Sequence, residues 1–149
     1  MRLRELSNSQ DQLDTESQEK IDRRYDNSGD LAKLQEAMPK FIKLCRHMLN
    51  LPRVPRIIFI NDERDARYHH SFGRFDPYRN KIFVNTWKRH TMDILRTLAH
   101  ELVHFKQSLK KGAHNLDGST GSVDENQANA VAGTIMRQWG INNRKFFKA

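Results

Sequence analysis

The sequence predicts an α+β fold in which a small sheet of about three strands packs on one long helix and a second helix crosses it. Apolar residues recur at helical spacing over residues 91–111 and again over 123–139. Short β-branched runs at 57–60 and 81–85 precede them and are typical of strands. The chain length of 149 residues suits one domain, which we assign to residues 31–149.

Residues 1–30 differ from the rest of the chain in composition. They carry five Lys/Arg and eight Asp/Glu, a net charge of −3, and few apolar residues. Such a segment cannot drive packing alone, so we expect a polar arm that is disordered or, from about Leu13 to Arg24, loosely helical. Subtracting −3 from the whole-chain charge of +8 leaves +11 for residues 31–149.

The basic charge of the main domain favours nucleic acid, membrane surfaces or acidic substrates as partners. The Lys and Arg residues are spread over every predicted element, with short clusters only at 53–56, 88–90 and 144–148. This distribution is more typical of a solvated basic surface than of a dedicated nucleic-acid site. We therefore expect nucleic acid only as a secondary partner.

No apolar run approaches membrane-spanning length, and the opening MRLREL is charged. We therefore expect neither a signal peptide nor a membrane helix, and a cytoplasmic location. The single cysteine, Cys45, agrees with a reducing compartment. Apolar residues recur at helical spacing from Leu31 to Leu49, and Cys45 falls on the apolar face of this predicted helix. A core thiol is therefore favoured over a removable metal ligand that confers latency.

A hairpin is predicted before the long helix. DPYRN, residues 76–80, supplies its turn, because Asp and Pro suit the first two positions and Asn80 tolerates a left-handed conformation. The strands are predicted at about Tyr68 to Phe75 and Lys81 to Asn85. The first strand is too polar for a central position, so we place it at a sheet edge, where an extended peptide can add as a further strand. The alternative is an edge that is charged only to resist aggregation.

The long predicted helix, capped by Thr91 and ended by Gly112, contains the sequence HELVH. His100 and His104 lie one turn apart on one face, so both imidazoles can reach a single metal ion with Glu101 beside it. On so apolar a stretch, unpartnered His and Glu would cost about 1–3 kcal/mol each if buried, and a metal removes that cost. The spacing is that of a zinc peptidase with Glu101 as general base, and the alternative is a chance group of surface residues.

A catalytic zinc site needs a third protein ligand. The second predicted helix, ended by Gly140, carries Glu125 and Asn129 one turn apart on one face. We predict Glu125 as the third ligand and Asn129 as the group that holds a ligand histidine in the required tautomer. Two alternatives stay open: Ser122 and Glu125 spell a capping box that would turn Glu125 back onto the cap amide, and His114 could complete a three-histidine site.

HELVH on one helix, followed about twenty residues later by ENQANAVAG on the next, resembles the gluzincin metallopeptidases. The short chain and the preceding hairpin make it most similar to the minigluzincins and to small HExxH proteins encoded by bacteriophages. The likeness runs from about Leu31 to Gly140 and is specific in the two motifs. It implies zinc bound by His100, His104 and Glu125, Glu101 as base, and a substrate-binding edge strand before IFVN.

The sequence departs from that family at two points. Asn129 stands where many gluzincins have Asp; an amide still accepts a hydrogen bond from a histidine but brings no charge, so weaker zinc binding is expected. Larger relatives also place a His or Tyr downstream as transition-state donor, whereas this chain offers only Arg137, Trp139 and Arg144 after Glu125. Candidates for that donor, or for substrate binding, are Tyr68, His69, His70, Gly73, Arg74 and His114.

The sequence therefore predicts a zinc-dependent metalloendopeptidase with one Zn²⁺ per chain and a peptide or protein substrate. One alternative is a non-enzymatic basic zinc module that binds DNA or a virion or capsid surface, and a closed fourth coordination position favours it. Another is a DNA-associated enzyme that resembles the DNA-protein crosslink proteases, which requires nucleic acid to stimulate cleavage. Salt-dependent DNA binding favours either alternative.

Overall fold

The computed structural model describes residues 4–5, 28–69, 71–116 and 121–144. The described helices are α1 (Ser28–Leu49), α2 (Glu63–His69), α3 (Thr91–Lys111) and α4 (Val123–Asn142), and a 3₁₀ turn, Ala113–Asn115, follows α3. The described strands are β1 (Arg4–Glu5), β2 (Arg56–Ile60), β3 (Gly73–Asp76) and β4 (Lys81–Asn85). The fold is α+β, as predicted. Within these ranges, no helix combines the length and the apolar character that crossing a membrane requires.

The strands form one mixed sheet in the order β1-β2-β4-β3. β2 and β4 run parallel, whereas β1 pairs antiparallel with β2 and β3 pairs antiparallel with β4. The main part of the sheet is thus the predicted three strands, and the two residues of β1 add to its far edge. The loose helix expected at about 13–24 lies outside the described residues.

The core surrounds α3, which contacts α1, α4, β3 and β4. Four of the five β2 residues are buried, and two of them, Ile57 and Phe59, belong to the core around α3. Phe41 of α1 packs edge-to-face on Trp139 of α4, with ring centroids 5.2 Å apart. Cys45 is fully buried in the same core, and this burial raises the pKa of its thiol. It is a core side chain and lines no part of the histidine site.

The ends of the long helices differ slightly from the prediction. Gly112 ends α3 with a φ of 86°, as expected, but His90 rather than Thr91 is its N-cap. The reason is that His90 Nδ1 accepts a hydrogen bond from the backbone N–H of Met92, while Thr91 is fully buried. α4 continues past Gly140 to Asn142, and the Asn143 side chain then caps the carbonyl oxygen of Trp139.

The prediction that the first strand of the hairpin runs from Tyr68 to Phe75 is wrong for its first half, because Tyr68 belongs to a helix. Asp62 Oδ1 accepts hydrogen bonds from the backbone N–H groups of Arg64 and Asp65 and so caps the start of α2. This helix continues to residue 69. β3 is therefore only four residues long. It lies at the edge of the sheet, as predicted.

The turn between β3 and β4 has the predicted chemistry. Asp76 Oδ1 accepts from the backbone N–H groups of Tyr78 and Arg79, and Asn80 adopts a left-handed conformation with a φ of 56°. Ile82 and Val84 of β4 are fully buried in the core around α3. The hairpin therefore holds β3 beside the HELVH segment.

Candidate metal centre

Two helices bring the three predicted metal ligands together. α3 presents His100 and His104 one turn apart, and α4 places Glu125 in its first turn, where Ser122 Oγ accepts from the Glu125 backbone N–H. The Glu125 carboxylate lies on the histidines: Oε1 is 2.9 Å from His100 Nε2 and Oε2 is 3.0 Å from His104 Nε2. Ser122 thus caps α4 while the Glu125 side chain is directed to the histidines.

The separations between the ligand atoms fit a single metal ion. His100 Nε2 and His104 Nε2 are 3.2 Å apart, and one ligand atom from each of the three residues falls within 4.8 Å of the others. In a tetrahedral zinc site with bonds of about 2.0–2.1 Å, neighbouring ligand atoms lie about 3.3 Å apart. Only a small outward shift of each side chain is needed, so the group can hold a metal ion.

Gln107 fixes the tautomer of His104. The Gln107 side chain is buried, and its Nε2 donates to the Asp124 carbonyl oxygen at 2.9 Å. Its Oε1 therefore faces His104 Nδ1, which donates to it at 2.7 Å. His104 Nε2, the ring nitrogen that faces Glu125, is thereby the atom available to a metal ion. The sequence analysis missed Gln107, although its position three residues after His104 on the same helix face is a usable signal.

Asn129 lies beside the other ligand histidine. Burial lowers the pKa of His100, while the negative charge of Glu125 and hydrogen bonds to Glu125 and Asn129 oppose this shift. The neutral imidazole is the form that binds a metal. The sequence analysis proposed Asn129 as the partner of one ligand histidine without choosing which, and the structure places it beside His100.

Glu101 is a buried carboxyl on the wall of the site, with 7% of its surface exposed. Its burial, and secondarily the negative charge of Glu125, raises the pKa of Glu101 to about 8. β3 passes so close that a Cβ on Gly73 would collide with the Thr97 methyl group and lie 3.2 Å from Glu101 Oε2. A carboxyl with a raised pKa in a cleft is suited to proton transfer.

An open cavity of about 340 Å³ lies between β3 and α3 and includes the three ligands and Glu101. Its other lining residues are Ser71, Gly73, Arg74, Phe75 and Leu116. Arg74 donates to both carboxylate oxygens of Asp65, each at 3.1 Å. Its guanidinium lies 4.5 Å from the Phe83 ring centroid. Side chains alternate along a strand, and the neighbouring Phe75 packs on Phe105 of α3, so the Arg74 guanidinium lies on the other face of β3.

The Ser71 hydroxyl forms hydrogen bonds with both backbone polar groups of Gly73, the first residue of β3. Its Oγ donates to the Gly73 carbonyl oxygen at 2.7 Å and accepts from the Gly73 N–H at 3.2 Å. The polar groups of Gly73 are therefore already paired within the chain. The sequence analysis gave no role to Ser71, because this contact depends on how the backbone turns between α2 and β3.

The remaining candidate residues are placed less centrally. Tyr68 lies on α2 with 80% of its surface exposed, and it does not belong to the described lining of the cavity. His70 lies outside the described residues, and so do the side chains of His69 and His114. The alternative in which His114 is the third ligand therefore stays a prediction.

Comparison of this chain with protein families, with curated proteins and with solved structures found no match. Its function has to be inferred from the chemistry of the site. The site combines three convergent metal ligands, a buried carboxyl that can exchange a proton and an open cavity beside a sheet edge. Three ligands with an open side are typical of catalytic metal sites, whereas four ligands close a structural one.

Proposed function

We propose that this protein is a zinc-dependent peptidase that hydrolyses peptide bonds with Glu101 as general base. The observation that carries the proposal is the convergence of His100, His104 and Glu125 beside Glu101 in an open cavity. The resemblance of the two helix motifs to those of the gluzincins supports the same function. So does the edge strand that borders the cavity.

Zinc is the metal that this donor set suits best, because two imidazoles and one carboxylate form a known catalytic zinc site. A bound zinc ion supplies Lewis acidity, which lowers the pKa of water and polarises a carbonyl group. Among the described residues, this is the single group of three ligands with suitable spacing, which supports one ion per chain.

Glu101 moves the proton in the proposed reaction. It accepts a proton from the attacking water as the water oxygen bonds to the carbonyl carbon of the substrate. It then donates that proton to the amine nitrogen as the C–N bond breaks, so that one water is consumed per peptide bond. In the metal-free protein its pKa of about 8 already lies near neutrality, as both half-steps require.

β3 supplies the binding edge for an extended peptide in this proposal. A peptide that pairs with Gly73 has to displace Ser71 Oγ, because that hydroxyl already occupies both backbone groups of Gly73. Arg74 lines the cavity, but its guanidinium binds Asp65 on the other face of β3. We therefore assign it no role in the reaction.

The Glu101→Gln substitution tests the proposed function. Since Glu101 is not a ligand, we expect the variant to keep about one equivalent of zinc while losing at least about 100-fold in cleavage rate. The measurement is mass spectrometry of a diverse peptide mixture incubated with wild type, variant and chelator-treated wild type. Zinc content is verified in each sample by elemental analysis.

Identical peptide profiles for wild type and Glu101→Gln, with zinc present in both, would contradict the peptidase proposal. That result would favour a non-enzymatic zinc module. Loss of zinc from Glu101→Gln would show instead that this carboxylate takes part in metal binding. A diverse mixture is needed because a small peptidase can be highly selective.

A further inference from the structure

A second cavity, of about 470 Å³, lies beside the contact between α3 and α4. Residues from the last two turns of α3, the first turns of α4 and the end of α1 line it. It shares no lining residue with the metal cavity. Its volume falls within the range of small-molecule binding sites.

The lining of this cavity includes apolar residues, namely Met48, Leu49, Val103, Val123 and Val131. Leu49 and Val103 are buried core residues, so the exposed apolar surface comes from the other three. Val123, the first residue of α4, keeps 84% of its surface exposed, so the apolar wall continues to the rim. Removing this surface from water is favourable, and an aliphatic chain can cover it.

The lining of the same cavity also carries positive charge. Lys106 and Lys110 lie one turn apart on α3 and both line the cavity. The one carboxylate of the lining, Asp124, is neutralised by Lys111, whose Nζ lies 2.6 Å and 2.7 Å from the two carboxylate oxygens. Among the described residues, no acidic side chain pairs with Lys106 or Lys110. The two ammonium groups are therefore free to bind an anion in the cavity.

We propose that this cavity binds an amphiphilic anion, namely an aliphatic carboxylate of medium chain length. The chain would lie on the valine and methionine wall, and the carboxylate would accept hydrogen bonds from Lys106 and Lys110. A cation is disfavoured by the two lysines, and a neutral apolar molecule leaves them unpaired. The described lining offers no aromatic side chain on which a nucleic-acid base could stack.

This ligand site is separate from the proposed catalytic function. Gln107 lines the cavity and also accepts from His104, so the ligand lies one hydrogen-bonded residue away from the metal centre. A carboxylate can also bind zinc directly. The test therefore has to separate binding in this cavity from binding at the metal.

Isothermal titration of the full-length protein with decanoate, below its micelle-forming concentration, tests the proposal. Decanol and acetate are the reference ligands, since decanol keeps the aliphatic chain without the carboxylate and acetate keeps the carboxylate without the chain. We expect decanoate to bind at least about tenfold more tightly than either, because both the chain and the carboxylate contribute. Equal affinities for decanoate and decanol would overturn the role of the lysines, and an absence of decanoate binding would overturn the site.

Substitutions locate the binding. The double variant Lys106→Gln/Lys110→Gln should weaken decanoate binding at least about tenfold. The matched control Lys40→Gln/Lys43→Gln removes the same charge from the exposed face of α1 and should retain wild-type affinity. The Glu125→Ala variant should also retain it, since it removes the metal site and leaves this cavity intact. Binding that survives the Lys106/Lys110 change, or that is lost in Glu125→Ala, contradicts the proposal and leaves the peptidase proposal untouched.

Discussion

At the scale of single residues, Gln107 orients His104, a proposed metal ligand, without being a ligand itself. It is buried, and its amide is oriented by the Asp124 carbonyl oxygen and by Gln127 Oε1, at 2.9 Å and 2.8 Å. These contacts make Gln107 an acceptor toward His104. His104 Nε2 is therefore the ring nitrogen directed at the proposed metal position.

We predict that Gln107→Leu lowers zinc affinity about 10–100-fold, because His104 Nδ1 loses its acceptor and the imidazole loses its orientation. Competition with a chromophoric chelator measures this affinity. Gln127→Leu is the matched control, since it leaves the Gln107 bond to the Asp124 carbonyl in place, and its affinity should stay within about threefold of wild type. Equal losses in the two variants would show that Gln107 acts only through packing.

The raised pKa of Glu101 has a consequence for stability in the metal-free protein. The pKa of this carboxyl is about 8 when folded and near 4.5 when unfolded. Between these values the folded state holds a proton that the unfolded state has released, so its contribution to stability falls as pH rises from about 4.5 to 8. Glu101→Gln removes this contribution, since an amide does not titrate.

We therefore expect Glu101→Gln to become progressively more stable than wild type as pH rises from 5 to 8, by an amount on the order of 3 kcal/mol. Urea unfolding of both chelator-treated proteins across this pH range measures the difference in the free energy of unfolding. His100 also has a shifted pKa, but its contribution is common to both proteins and largely cancels. A difference independent of pH would place the folded pKa of Glu101 near its ordinary value.

At the scale of the secondary-structure elements, the site depends on how closely β3 approaches α3. This distance is set at Gly73, where a Cβ would collide with the Thr97 methyl group. Arg89 reinforces the same contact. Its guanidinium stacks over Phe72, 4.3 Å from the ring centroid, and donates to Thr97 Oγ1 at 2.8 Å.

We predict that Gly73→Ala destabilises the protein by about 1–3 kcal/mol, because β3 has to move away from α3 to accommodate the methyl group. Urea unfolding measures the change. Adding Thr97→Ser should recover part of the loss, since serine lacks the methyl group and keeps the hydroxyl that accepts from Arg89. If the double variant is no more stable than Gly73→Ala, the strain lies at the Glu101 carboxylate instead.

At the scale of the whole molecule, a bound metal would join α3 to α4 near their crossing. His100 and His104 lie on one helix and Glu125 on the other, and these two helices make the most extensive contact in the described structure. A ligand that binds only the folded state stabilises it by about 2.7 kcal/mol at 100 times its dissociation constant. Metal binding and global stability are therefore linked.

We expect zinc at that concentration to raise the melting temperature by about 5–10 °C. Glu125→Ala should abolish most of this increase, and His114→Ala should retain it. Thermal unfolding of each protein, followed by circular dichroism with zinc and with chelator, provides the measurement. The opposite pattern, with the increase lost in His114→Ala and kept in Glu125→Ala, would make His114 the third ligand.

Several features of this protein were predictable from sequence because local interactions determine them. Helical spacing determines that His100 and His104 share a face of α3. The carboxylate of Asp76 and the left-handed conformation of Asn80 determine the hairpin turn. Helical spacing on α4 also indicated Glu125 as a residue that could reach the histidines. The local errors were α2, whose cap at Asp62 was overlooked, the N-cap of α3 and the C-terminal end of α4.

Other features depended on the tertiary structure, because they arise between residues that are distant in the chain. The parallel pairing of β2 with β4 and the approach of Gly73 to Glu101 follow from packing around α3. The hydrogen bond from Gln107 to the Asp124 carbonyl spans 17 residues and exists only because α4 crosses α3 at that point. No local pattern encodes such a distance. Local sequence patterns were enough to identify the residues that could bind a metal. The orientation of those residues, and the second cavity near them, follow from the packing of α3 against α4, because that packing brings together side chains that are distant in the chain.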